Sequence, residues 1–87
     1  MIAARLIDTV WATRKADLLS GLKFMLAEEI GGRDDGRRFI VVDIISAGIG
    51  DRVIVSTGSA ARRMLGDDNI PVDAVVVGII DDDCNFC

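Results

Sequence analysis

Along residues 2–11 apolar and polar side chains alternate, with Ala4, Leu6 and Val10 on one side and Arg5, Ile7, Thr9 and Trp11 on the other. That two-residue period is the mark of a β-strand. Asp8 is the one exception on the apolar side. A polar stretch over 12–17 leads to a turn at Ser20-Gly21, and a second strand is expected over 22–28 with Leu22, Phe24 and Leu26 as its apolar face. The run Gly31-Gly32-Arg33-Asp34-Asp35-Gly36 is the clearest loop, and Asp35-Gly36 suits the positive-φ positions of a tight turn. A third strand covers 38–45 and is broken by Ala47-Gly48-Ile49-Gly50, where two glycines bracket one residue. In a fourth strand Val53, Val55 and Thr57 face one way and Arg52, Ile54 and Ser56 the other. Ser59 is the expected N-cap of a short helix over 60–65, which Gly66 ends. Pro71 closes the polar loop Asp67-Asp68-Asn69, and a fifth strand spans 73–80.

Five short strands at this spacing with one helix predict a mainly β fold, a small OB-like β-barrel with the helix plugging one end. Two strands do not alternate. Phe39-Ile40-Val41-Val42 and Ala74-Val75-Val76-Val77-Gly78-Ile79-Ile80 are apolar on both pleat faces, so both faces ask for cover. One short helix cannot cover the outside of two strands, and a parallel sheet clad in helices lacks the helices. The pattern therefore predicts neighbouring subunits.

Composition strengthens that expectation. The chain has 87 residues, one domain's worth, and a folded monomer of this size exposes roughly 5,000 Å² and buries only about 63% of its unfolded surface. Yet 51% of its residues are hydrophobic and the mean hydropathy is +0.39. The domain is expected over 1–81, followed by a flexible, acidic, cysteine-bearing tail over 82–87.

Charge and chemistry narrow the function. The net charge of −4 weakens a nucleic-acid role, which rests on Lys and Arg neutralising phosphates. An oligonucleotide-binding module of the OB type remains the alternative suggested by the barrel. With 5% aromatic residues, no tyrosine and only the short basic pairs Arg14-Lys15 and Arg37-Arg38, it has little to bind with. The longest apolar run, 74–80, is far short of the roughly 20 residues of a membrane-spanning helix, and residues 1–4 are too few for a signal-peptide core, so no membrane role is expected. Histidine is absent, which removes the commonest general base and metal ligand. Gly58-Ser59-Ala60 is not a nucleophile elbow, and Gly48-Ile49-Gly50 is followed by no phosphate-binding lysine. No catalytic residue and no cofactor are predicted. Asp81-Asp82-Asp83 reads as a solvated acidic tail rather than a cation site. Cys84 and Cys87 have CxxC spacing but make only half a zinc site, leaving a metal or redox role, joined between tails, as the minor alternative. Two terminal cysteines otherwise fit a reducing cytosol.

Ala4-Arg5, Val10-Trp11-Ala12-Thr13-Arg14-Lys15, Leu19, Gly21 and Lys23 are followed in order by Val42-Asp43, Ala47-Gly48-Ile49-Gly50-Asp51 and Gly58-Ser59-Ala60-Ala61-Arg62. Pro71-Val72-Asp73-Ala74 and Val77-Gly78-Ile79-Ile80-Asp81 complete the set. Together they resemble the bacterial microcompartment vertex proteins, the family typified by the ethanolamine-utilisation and carboxysome pentamer proteins. Asp8 stands where that family usually has Gly, and Asp51 where Glu is common. The resemblance implies a non-enzymatic homopentamer in the bacterial cytoplasm. It would cap five-fold vertices of a polyhedral shell among hexameric shell proteins. It also implies that Ala47, Gly48, Ile49 and Gly50 approach the five-fold axis around a narrow pore. On that picture strands three and five make subunit contacts, with Arg5, Asp43, Arg62, Asp73 and Val77 as candidate interface residues. The tail beyond Asp81 lies outside the shared pattern and inherits no role.

Overall fold

Residues 1–12, 15–67 and 69–85 are described by a computed structural model. Arg14 of the first basic pair and Cys87 of the cysteine pair therefore lie outside the described residues, as do Thr13, Asp68 and Phe86. The strands are β1 (Ile2–Val10), β2 (Lys23–Glu29), β3 (Arg38–Asp43), β4 (Arg52–Thr57) and β5 (Ala74–Ile79), with helix α1 (Ser59–Met64) between the last two. They close into a barrel in the order β1-β2-β3-β5-β4, with β3 and β5 parallel and every other pair antiparallel. The third and fifth strands are shorter than expected, and Trp11 lies just beyond β1, 89% exposed.

A narrow barrel admits one layer of small and β-branched side chains. Ala4, Leu6, Met25, Ala27, Val41, Val53, Val55, Ala74 and Val76 fill it, joined by Ala47 from the loop after β3. Two expectations about facing are corrected here. In β1 the pairing with β2 skips a residue at Ile7, so Leu6 stands opposite Ala27 but Asp8 opposite Leu26. This bulge reverses the phase of the strand. Thr9 now faces Met25, while Val10 leaves the side of Ala4 and Leu6 to pair with Phe24. Asp8, the misfit in the alternation, is thereby exposed, and its carboxylate accepts the Thr9 N–H at 2.8 Å. In β2 the barrel-facing residues are Met25 and Ala27, not Leu22, Phe24 and Leu26. Both faces of that strand are apolar, and the smaller set fits inside.

Leu22 and Phe24 belong instead to a second apolar cluster on the outside of the barrel, with Val42, Ala61, Ile70, Val72 and Val75 at its centre. Val42 and Val75 are partners in the parallel pair and point away from inward-facing Val41 and Val76. The helix therefore packs on the outer side of β5 and the end of β4 rather than plugging an end. The segment 70–72 completes the cover, so that Val42 and Val75 are buried within the single chain. The expectation that this face needs a neighbour is met in large part internally. Among the described strand residues, the large apolar ones left outside are Ile40 on β3, Ile54 on β4 and Ile79 on β5, at 54%, 37% and 50% exposure.

Ser59 is not the helix cap. It is the first helical residue and makes no side-chain capping bond, while Gly58 at φ 67° turns the chain from β4 into α1. Gly66, at φ 76°, follows the helix end as expected. The total accessible surface, 5450 Å², exceeds the roughly 5,000 Å² usual for this mass, and the long axis reaches 39 Å.

The facing of β2 sets a clear contrast. Met25→Ala should cost about 2–5 kcal/mol and Leu26→Ala about 1 kcal/mol, by urea unfolding at fixed protein concentration. A larger loss at Leu26 would contradict the assignment.

Candidate assembly surfaces and the 44–50 loop

The loop after β3 is fixed from both ends. Asp43 ends the strand with its side chain fully enclosed. Its Oδ1 accepts the Ile45 N–H at 3.0 Å, and its Oδ2 stands 3.2 Å from Lys23 Nζ, a charge contact that lacks hydrogen-bond alignment. Lys23 is Asp43's partner in the β2–β3 pair, and its ammonium also donates to the Ala47 carbonyl at 3.1 Å. Farther along, the Gly48 N–H donates to Asp51 Oδ2 at 2.8 Å and the Gly50 N–H to the Leu6 carbonyl at 2.8 Å. Arg5 Nη1 reaches the Gly50 carbonyl at 3.2 Å, and the Leu6 N–H donates to the Asp51 carbonyl at 3.0 Å. Ser46, at φ 61°, is the only non-glycine with positive φ among the described residues, so some strain is held here by the surrounding bonds.

The four residues assigned to a pore thus separate. Ala47 is 2% exposed and packs into the barrel core, where it anchors the loop. Gly48, Ile49 and Gly50 form the tip, with Ile49 62% exposed. Gly50 sits at φ +91°, whereas a Cβ at Gly48 would meet nothing nearer than Asp51 Oδ2 at 3.7 Å.

The interface candidates also divide. Arg5 is exposed beside the loop. Asp43 is enclosed, with its carboxylate engaged by Lys23 and the Ile45 N–H of its own chain. Arg62 is half-buried on α1, Val77 packs on the outer cluster, and Asp73 is exposed with its carbonyl accepting the Gly58 N–H at 2.9 Å. Asp73 adjoins Gly58 just before α1, and α1 carries Arg62, whereas Val77 follows Val76, the partner of Asp43 in the β3–β5 pair, and so lies toward the 44–50 loop. Lys23 was missed as a positioning residue. Its signal was available in the opposite charges at 23 and 43, once the register was known.

At the far end of the barrel a second loop is fixed by buried Glu29. Its carboxylate pairs with Arg37 Nη2 at 3.2 Å and accepts the Asp34 N–H at 3.3 Å, and Arg37 lies over the Phe39 ring. This loop and the N-terminal residues frame a groove of about 890 Å³. A second groove, about 560 Å³, lies on the outside of the barrel between Met1, Ile2, Ile54, Ile79, Ile80 and Cys84. The tail begins as a turn clipped to β4. Arg52 donates to the Asp81 carbonyl at 2.9 Å, and the Cys84 N–H donates to the same carbonyl at 3.0 Å. Asp81 Oδ1 accepts the Asp83 N–H. Among the described residues the carboxylates do not converge with other donors into a metal-holding group, and no helix is long and apolar enough to cross a membrane.

A small closed barrel with two braced loops and bare aliphatic strands has the build of an assembly subunit, and comparison with known proteins places it. The chain belongs to the family described as "Ethanolamine utilisation protein EutN/carboxysome", whose model matches residues 1–81. It is 42% identical over 83 residues to the bacterial microcompartment shell vertex protein GrpN of Rhodospirillum rubrum, covering 93% of each chain. It is 40% identical to the carboxysome shell vertex protein CcmL of Thermosynechococcus vestitus, covering 93% of this chain and 84% of that one. Among solved structures, an ethanolamine utilisation protein EutN superposes with a TM-score of 0.87 at 31% identity, covering 98% of this chain and 91% of that one. The GrpN pentameric microcompartment shell protein superposes at 0.81 with 40% identity, covering 93% and 94%.

The two loop glycines should behave differently. Gly50→Ala forces a side chain into left-handed backbone and should cost about 1–2 kcal/mol, roughly 4–8 °C in Tm for each kcal/mol. Gly48→Ala should leave stability within about 0.5 kcal/mol of the parent, a few degrees in Tm at most. Thermal melts at fixed protein concentration decide it.

Proposed function

We propose that this chain is a structural, non-catalytic subunit, five copies of which form a ring that closes a five-fold vertex of a bacterial microcompartment shell in the cytoplasm. The observation that carries this reading is the match to a shell vertex protein along nearly the whole of both chains, at 42% identity. The relatives' shared description as vertex proteins supports a structural role, and a chain without histidine has few groups for acid-base chemistry. A flat layer of hexagonal tiles cannot close on itself, and five-fold units supply the missing curvature. The ring's outer edge would therefore meet hexameric shell proteins of the same compartment.

In this ring the braced tip Gly48-Ile49-Gly50 faces the five-fold axis and lines a narrow pore, with Ala47 behind it as the buried anchor. Five backbones can approach closely there because glycine presents no side chain. Rings of identical subunits use unlike surfaces at each joint. Arg5 and Val77 toward the loop end, and Arg62 and Asp73 beside α1, are the polar and apolar groups offered to neighbours. Lys23 and Asp43 act from within, by fixing the loop.

Co-expression with the hexameric shell proteins of the same compartment should give closed polyhedral shells by electron microscopy. Without the chain the same tiles should give open sheets, tubes or shells with gaps. Equally closed shells in both cases would contradict the vertex role. Asp73→Arg should weaken ring assembly roughly tenfold, about 1.4 kcal/mol, by sedimentation. Gly48→Trp should leave the barrel folded but splay or occlude the ring, and an ordinary ring with an open axis would count against the pore.

A further inference from the structure

We propose that a slot in the barrel wall between β3 and β5 takes an extended segment of a different protein, which pairs as an added strand with the free edge of β3 at Arg38 and Ile40. The inference does not depend on the ring proposed above.

The slot follows from strand register. The Glu29 N–H donates to the carbonyl of Arg37, directly across the antiparallel β2–β3 pair, at 2.8 Å, so the odd-numbered residues of β3 bond to β2. The even-numbered ones, Arg38, Ile40 and Val42, direct their N–H and C=O groups the other way. Val42 meets Val75 of β5 there, but that ladder is confined to Val42 and Asp43. Arg38 and Ile40 therefore carry peptide groups to an edge with no strand beside it, and Ile40 is 54% exposed. Ahead of Ala74 the chain turns away from β3. Ile70 and Val72 are drawn to the outer apolar cluster around Ala61, and the Asp73 carbonyl is held by the Gly58 N–H.

The lining indicates the occupant. A strand edge with unpaired donors and acceptors is a template for another peptide backbone, the basis of recognition by strand addition. Beside this edge lies a crevice of about 170 Å³ whose lining includes Phe24, Ile40, Val42, Val72 and Ala74. A cavity of about 150 Å³ already holds a benzene-sized group, so the crevice admits one branched aliphatic side chain. Ile40, Asp73 and Ala74 also line the 890 Å³ groove at that end of the barrel, and crevice and groove are continuous. The far wall of the groove is built in advance. Glu29 ties the 31–37 loop through Arg37 and the Asp34 N–H, and a Cβ at Gly32 would lie 2.7 Å from Glu29 Oε2, so glycine lets the loop close on that carboxylate. On this wall Arg33 is exposed and has no ion-pair partner among the described residues. The fitting segment is thus extended, with a branched aliphatic residue for the crevice and a carboxylate for Arg33. The chain's own strands are all closed into its barrel, and its tail is clipped to β4 at Asp81, so the segment comes from another protein.

The test uses the assembled full chain with a synthetic peptide, acetyl-Glu-Thr-Val-Thr-Val-amide, as the probe, and sedimentation in parallel. Bound peptide should slow hydrogen exchange at the Ile40 amide at least tenfold, while the Val41 amide, already turned to β2, changes little. Ile40→Pro removes an N–H that has no ladder partner, so it should fold and bind the peptide at least tenfold more weakly. Arg33→Glu should weaken the same peptide and prefer one with lysine in place of its glutamate. Should Ile40→Pro fail to fold, the charge exchange at Arg33 and the Ile40 amide of the parent decide the matter. Absence of binding up to roughly 1 mM peptide, or binding that leaves Ile40 exchange unchanged, overturns the slot. A ring that falls apart as the peptide binds shows the edge to be a contact between copies, which overturns the separate partner and leaves the ring standing. Protection of Ile40 in a chain that is monomeric throughout supports the slot and overturns the ring.

Discussion

Closing five short strands into a barrel leaves room inside for one thin layer of side chains, and that limit governs where the rest of the apolar residues must go. Leu6 and Met25 are the bulkiest groups admitted, and four alanines occupy places where anything larger would crowd the wall. Half of the residues are hydrophobic, so many must lie outside the barrel. The chain satisfies one outer flank itself, by folding α1 against β5 and segment 70–72 over Val42 and Val75. Among the described residues, the flank on β1, β4 and β5 carries Ile54, Ile79 and Ile80 without such cover. A subunit that completes only one of its two flanks has the composition of an assembly part, and the family to which it belongs is one of shell proteins.

The same narrow barrel explains how a loop of small residues is held still. An enclosed carboxylate at Asp43 faces the half-exposed ammonium of Lys23, an arrangement worth little as a net attraction but costly to break from one side. Its contribution is positional, because the two charges hold the loop through the Ile45 amide and the Ala47 carbonyl. Ala47 sinks into the core, and Arg5 and Leu6 hold the other limb at Gly50. A tip set by bonds on both limbs has little freedom left to lose when subunits meet, which lowers the entropic cost of closing a ring.

The sequence revealed the strand count, the helix and the barrel class, because these depend on local period and on glycines at turns. What it concealed were phases and partners. The bulge at Ile7 adds one unpaired residue, which reverses the facing of Asp8, Thr9 and Val10 while leaving the written alternation unchanged. In β2, Met25 and Ala27 compete with Phe24 and Leu26 for the inside, and only the closed barrel's size decides. Ser59 looked like a cap because of its chemistry, but Gly58 alone could take the left-handed turn before it. In the site, the exposed tip was legible from Gly48-Ile49-Gly50. The enclosure of Asp43 and Ala47 was not, since burial is a property of the whole chain.

One chain is an incomplete object, a fifth of a closed ring. The most direct measurement is the native mass of the purified full chain across a concentration series. A discrete species near five times the 9.3 kDa chain, dissociating cooperatively on dilution, is expected. A monomer at all concentrations, or a closed assembly of any other number, would contradict it.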